Sequence, residues 1–165
     1  VYLSGTARGL LGADHPLQAR HKRRDSLKAA DLVVLAGVPA DFRLDYGNHV
    51  RRGATLVSAN RSSADLRRNR RPDVAILGDA ALALAGIAAA LPTRDADAAP
   101  PRWPEWCDVV RGRDDAREAD IAAQAEVPAA DGLNPVRMCQ ELAAALPPGA
   151  IVVGDGGDIV ATASY

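Results

Sequence analysis

Short apolar runs alternate with stretches of helical periodicity along the 165 residues. Val1–Leu3, Leu32–Leu35, Thr55–Ser58, Val74–Leu77 and Ile151–Val153 are brief and rich in leucine and β-branched residues, which predicts strands. Between them, helical patterns lie near Asp25–Ala30, Ser63–Asn69 and Asp79–Leu91. Strands that alternate with helices in this way imply an α/β fold with a parallel sheet covered on both faces. Ser62 or Ser63 suits the N-cap of the second helix, and Asp79 stands at the start of the alanine-rich third one.

The pattern changes after residue 92. Pro92 to Trp106 is proline-rich and carries both tryptophans, as a connector leaving a first domain would. A charged helix from about Glu105 to Ala125 follows, then a Pro/Ala/Asp/Gly stretch from Val127 to Gly132. Asn134-Pro135 opens another helix, with asparagine as cap and proline at the first helical position. That helix reaches Leu146, breaks at Pro147-Pro148-Gly149 and hands over to the Ile151 run. The expected organisation is therefore a first domain over residues 1–92, a connector with a charged helix over 93–132, and the opening of a second α/β domain over 133–165.

Composition narrows the function classes. A net charge of −1 argues against a general nucleic-acid or membrane-surface role. The basic clusters His21-Lys22-Arg23-Arg24 and Arg67-Arg68-Asn69-Arg70-Arg71 have acids nearby and read as solvated faces. Cys107 and Cys139 lack the paired spacing of a zinc site and read as free thiols in a reducing cytoplasm. No apolar run of about 18 residues points to a membrane span. Val1 opens directly on an apolar run and Tyr165 falls where a helix should continue, so both ends read as interrupted.

Three loops carry candidate chemistry. Ala150-Ile151-Val152-Val153 runs into Gly154-Asp155-Gly156-Gly157-Asp158-Ile159, a strand feeding a helix through glycines. Such a turn exposes backbone N–H groups beside the positive helix end, a generic phosphate site, although a plain tight turn has the same sequence. Asp155 is a weak metal candidate, since an oxygen-only site needs further ligands close by. Gly37-Val38-Pro39-Ala40-Asp41-Phe42-Arg43 follows the Leu32 run, where loops at strand ends line the ligand crevice of open α/β sheets. Arg43 there either meets a phosphate or carboxylate, or closes a surface ion pair with Asp41 or Asp45. Ser4-Gly5-Thr6-Ala7-Arg8-Gly9 follows the same logic. Asp14-His15-Pro16 reads as a turn, and no complete catalytic set can be assembled from these residues.

Ordered segments then match a family. They are Ala7-Arg8-Gly9-Leu10-Leu11 with His15-Pro16-Leu17, Ala30-Asp31-Leu32-Val33-Val34-Leu35-Ala36-Gly37, and Asp41-Phe42-Arg43-Leu44 with Tyr46-Gly47. Asn69 with Pro72-Asp73-Val74, Gly78-Asp79, Leu133-Asn134-Pro135 and Ile151 to Gly157 complete the set. In this order they cover nearly the whole chain, which resembles the thiamine diphosphate (ThDP)-dependent enzymes of the acetolactate synthase type and the related 2-hydroxyacyl-CoA lyases. The resemblance implies most of a Rossmann-like, three-layer central domain followed by the start of a diphosphate-binding domain. It also implies a small-molecule substrate, ThDP with Mg²⁺ in the whole enzyme, and a homo-dimer or homo-tetramer. The glutamate that activates the cofactor and the Mg²⁺ motif would lie outside these residues, so the chain alone should be inactive and holds no metal ligands of its own.

By position, the family's first-loop diphosphate contacts fall on Gly156, Gly157, Asp158 and Ile159. Some relatives carry Gln-His at the last two of these positions; Asp158 departs from them, since a carboxylate repels a diphosphate unless bridged or turned away, and its backbone N–H is then the contact. Family contacts to a nucleotide in the central domain fall on Gly37, Val38, Asp41, Arg43, Asn60 and Asp79. FAD occupies that domain in acetolactate synthases, ADP in some relatives, and neither in others. Asn60-Arg61-Ser62 replaces an Asp-x-Asp of the flavin pattern, which leaves FAD or ADP open. The first functional expectation is thus an acetolactate synthase-like carboligase or lyase acting on 2-keto acids such as pyruvate. The runner-up is a 2-hydroxyacyl-CoA lyase, and a non-catalytic nucleotide-binding module is the reading from another class.

Overall fold

A computed structural model describes residues 1–12, 15–92, 103–130, 132–147 and 149–163. The chain divides into two compact units, Val1–Arg111 and Gly112–Tyr165.

The first unit is built on three parallel strands in the order β1-β2-β3: β1 (Leu32–Ala36), β2 (Thr55–Asn60) and β3 (Val74–Leu77). Leu32 pairs with Thr55 and Ala36 with Ala59, while Val57 pairs with Val74 and Asn60 with Leu77. All three strands therefore end at one edge. Helix α1 (Arg23–Ala29) precedes the sheet, α2 (Ser63–Leu66) lies between β2 and β3, and α3 (Ala80–Ala90) follows β3. Ser62, rather than Ser63, caps α2: its Oγ accepts the Asp65 N–H at 3.2 Å.

Val33 and Leu35 of β1 and Leu56 of β2 form a core with Leu44, Val50 and Ala54 from the first connection. The opposite side of β1 is different. Leu32 and Val34 remain 53% and 43% exposed, whereas Ala59 of β2, on that same face, is 3% exposed, so among the described residues the second face is covered only in part. Right-handed crossovers that step the same way across a sheet put successive connections on the same face. Residues 37–54 and 61–73 are such successive connections, and the first of them supplies half of this core.

The expected strand at Val1–Leu3 is reduced to one parallel bridge between Tyr2 and Ala19. The chain before α1 is instead held by the Tyr2 hydroxyl, 2.7 Å from Ser26 Oγ. His15 forms the expected turn, its Nδ1 accepting from the Leu17 N–H, while Asp14 lies outside the described residues.

Helix α4 (Pro104–Ala125) begins in the first unit and ends in the second. In the second unit, α5 (Pro135–Ala145) starts as its sequence requires. Asn134 Oδ1 accepts from the N–H groups of Val136 and Arg137, and Pro135 occupies the first helical position. The same asparagine donates from Nδ2 to the carbonyls of Gln124 and Val127, so one side chain ends α4 and begins α5. Arg137 pairs with both Glu126 and Glu141. The last helix is α6 (Asp158–Ala163).

Ile151–Val153 joins no strand ladder among the described residues, and Ile151 is 90% exposed. A strand needs a neighbouring ladder for its backbone groups, and the one described sheet lies entirely in the first unit. The apolar pattern is that of a strand, and the described residues of this unit supply it no ladder partner.

Candidate functional site

The shared register brings three of the expected contact positions to the carboxyl edge of the sheet. Gly37 leaves β1 with φ +72°, and its N–H donates to the Ala59 carbonyl at 2.8 Å. Asn60 ends β2, and its carbonyl accepts from the Gly78 N–H at 2.9 Å. Asp79 follows as the cap of α3: Oδ1 accepts from the Ala81 and Leu82 N–H groups at 2.8 and 3.1 Å. A Cβ added to Gly37 would stand 3.5 Å from the Ala80 methyl, so the end of β1 and the start of α3 are in close approach.

Each polar side chain at this edge already has a partner. Arg61, a residue to which no role was assigned from the sequence, donates to Asp79 Oδ2 at 2.5 Å. The Leu82 and Ala81 N–H groups, with Arg61 behind them, hold the Asp79 carboxyl below its ordinary value of 3.8. Asn60 Oδ1 accepts from the Ser62 N–H at 2.9 Å, ordering the turn into α2. Val38 packs against the core cluster.

Asp41 and Arg43 lie one turn beyond Gly37. Of the two readings for Arg43, the structure shows the ion pair, and Asp41 rather than Asp45 is the partner. Arg43 donates to Asp41 from its backbone N–H and Nε, each at 3.0 Å to Oδ1, and from Nη2 to Oδ2. The Arg43 guanidinium accordingly holds the Asp41 carboxyl down, and Asp41 pushes Arg43 up. Among the described residues no hydrogen bond or ion pair joins this couple to Asp79 or Arg61. The six central-domain positions thus divide into a strand-edge group, a separate couple, and Val38, half-buried against the core.

Beyond the couple, Asp45 and Tyr46 both take left-handed backbone conformations, with φ +48° and +52°. The loop on either side of them is held from the 67–71 basic cluster. Asn69, itself at φ +56°, donates to the Ala40 carbonyl at 2.9 Å. Arg70 donates to the carbonyls of Val50 and Arg51 at 2.8 and 3.0 Å, with a longer bond to Gly47 at 3.3 Å. Arg68 pairs with Asp65, which is the solvated role expected of the cluster. Asn69 and Arg70 instead tie down the loop after β1. A stripe of arginines in sequence does not distinguish the two roles.

In the second unit, Gly156 and Gly157 are open: no atom lies within 4 Å of a Cβ built on either. Gly157 has φ +89°, and its carbonyl accepts the Ala161 N–H in the first turn of α6. The Gly156 N–H is taken by Asp155 Oδ1 at 2.9 Å. Asp158 and Ile159 are the first residues of α6. Gly154 lies so close to this helix that a Cβ on it would meet Val160 Cγ2 at 2.9 Å. Neither unit has a group of three or more His, Cys, Asp or Glu residues arranged to hold a metal ion among the described residues. No helix of the described residues is long and apolar enough to cross a membrane.

An open parallel sheet with a glycine turn, a capped helix and polar residues at its carboxyl edge defines a Rossmann-like α/β domain. Residues 1–87 match the family model of the thiamine pyrophosphate enzyme central domain, and the chain belongs to that family. Among curated proteins, 2-hydroxyacyl-CoA lyase 2 of Caenorhabditis elegans is 42% identical over 170 residues, covering all of this chain and 26% of the relative. The human 2-hydroxyacyl-CoA lyase 2 is 36% identical over 169 residues, covering 99% of this chain and 26% of the relative. The acetolactate synthase large subunit of Mycobacterium tuberculosis is 31% identical over 160 residues, covering 96% and 27%. The chain thus spans about a quarter of the length of the curated relatives it matches.

Proposed function

We propose that this chain is the central part of a ThDP-dependent enzyme that cleaves 2-hydroxyacyl-CoA thioesters. The observation that carries the substrate class is the 42% identity to a 2-hydroxyacyl-CoA lyase 2 across the entire chain, against 31% to an acetolactate synthase. That order reverses the expectation drawn from the residues alone, which put acetolactate synthase first. Carboligation of 2-keto acids is kept as the second reading.

ThDP, when bound, supplies an electron sink for the carbanion left by carbon–carbon cleavage. This chain's contribution is binding. The open Gly156-Gly157 turn leaves room for a bulky anion, and the N–H groups of Gly157 and Asp158 are its backbone donors. The Asp155 and Asp158 carboxylates oppose a bare diphosphate and suit one already neutralised by a divalent cation. Gly154 supports the turn by letting it lie against α6.

The deciding assay supplies the purified whole protein with ThDP, Mg²⁺ and a 2-hydroxyacyl-CoA, and follows release of the aldehyde and of formyl-CoA. Cleavage of the thioester substrate with no turnover of pyruvate is the expected result. Conversion of pyruvate to acetolactate with the thioester untouched would hand the assignment to the second reading.

The turn has its own test. Gly157→Val places a β-branched residue at φ +89°, so the free turn relaxes away from this conformation and binding must restore it at a cost of about 1–2 kcal/mol. ThDP affinity of the whole protein should fall about tenfold, since 1.4 kcal/mol is a factor of ten. Titration of the apoenzyme with ThDP reads this directly, and an unchanged affinity would remove the turn from the diphosphate site.

A further inference from the structure

We propose that the carboxyl edge of this sheet is closed on itself, so that the central domain retains neither FAD nor ADP and its family nucleotide positions serve as tie points of the fold. The observation that carries this is hydrogen-bond capacity. A carboxylate oxygen has two lone pairs to offer. Asp79 Oδ1 spends both on the start of α3, and Oδ2 faces Arg61. Both oxygens of Asp41 face Arg43, and Asn60 Oδ1 faces the Ser62 N–H. Asp79 Oδ1 and both Asp41 oxygens are thus filled within the chain, while Asp79 Oδ2 and Asn60 Oδ1 each take one internal bond.

These locks are unequal in strength. Arg61 is 80% exposed, and an exposed ion pair opens readily in water. The Asp79 cap is the firmer of the two, because releasing it leaves two N–H groups at the start of α3 without an acceptor. Asp79 is therefore a structural residue with one replaceable contact, to Arg61.

The test uses the whole protein, purified without added nucleotide, and reads retention rather than turnover. Its visible flavin absorbance and the nucleotide released on denaturation are measured first. Thermal unfolding is then followed with and without saturating FAD or ADP for wild type, Asp79→Ala and Asp79→Ser. Serine keeps a cap acceptor and loses the arginine contact. The expected result is no retained flavin, no released ADP and no nucleotide-induced shift in Tm. Asp79→Ala should lower Tm by about 2–4 °C and Asp79→Ser by clearly less, both with or without nucleotide. Stoichiometric flavin or ADP in the purified protein would overturn the proposal. So would a nucleotide-induced rise in wild-type Tm that is lost in Asp79→Ser, since that variant retains the cap. None of these readouts depends on which substrate the enzyme cleaves.

Discussion

Leu56→Ala should destabilise the protein by about 3 kcal/mol, within the range for truncating a fully buried leucine. Leu56 is 2% exposed in the middle strand and packs among Val33, Leu35, Leu44, Val50 and Ala54. The site is poorly able to collapse around the lost atoms. β2 is held by β1 on one side and β3 on the other, and the Leu56 N–H is itself tied to Asp73 Oδ2 at 2.8 Å. The cavity therefore persists, and its cost adds to the lost transfer energy. Equilibrium unfolding in urea, read by a probe specific to this domain, measures the change. A loss below about 1 kcal/mol, the level of an ordinary surface substitution, would mean that the core does not centre on this residue.

Gly47→Val is expected to cost a similar amount by a different route, about 3 kcal/mol, from left-handed strain together with overpacking. Gly47 is buried at φ +88°, and a Cβ there would stand 3.1 Å from the Arg70 Cβ and 3.6 Å from the Ala40 Cβ. Moving Arg70 aside would loosen its bonds to the carbonyls of Val50 and Arg51, and with them the loop that carries Asp41 and Arg43. Gly53→Val is the control, because nothing lies within 4 Å of its added Cβ and its φ is not left-handed. Comparable losses in the two variants would show that composition, and not the close approach at Gly47, sets the cost.

The local determinants were legible because they act over a few residues. Asp79, Ser62 and Asn134 cap the helices their positions announce, since a cap is a bond between a side chain and backbone two or three residues away. The run Leu32–Ala36 could form a strand from its composition alone, but its uniformly apolar character says only that both faces tolerate burial. The alternation of buried Val33 and Leu35 with exposed Leu32 and Val34 depends on where the following connections cross.

The candidate site shows the same division. Gly37, Asn60 and Asp79 are separated by about twenty residues each and meet because the parallel register ends three strands at one edge. Their resemblance to a nucleotide site was visible in the residues. The occupation of their hydrogen-bonding capacity was not, because Arg61 reaches Asp79 across 18 residues of chain. The basic run at 67–71 misled for a related reason: charge predicts a wish for water or a counterion, while Arg70 satisfies three backbone carbonyls 19 to 23 residues away.

By itself the sequence determined the α/β alternation, the helix starts, the glycine turns and, through its ordered segments, the ThDP enzyme family. These follow from short-range chemistry written at fixed spacing. Only the tertiary structure decided how unevenly the two faces of the sheet are filled, that Ile151–Val153 joins no ladder among the described residues, and that Asp41 and Asp79 are held by arginines of the same chain. Each of those depends on a partner brought close by folding, and spacing along the chain does not say which partner arrives.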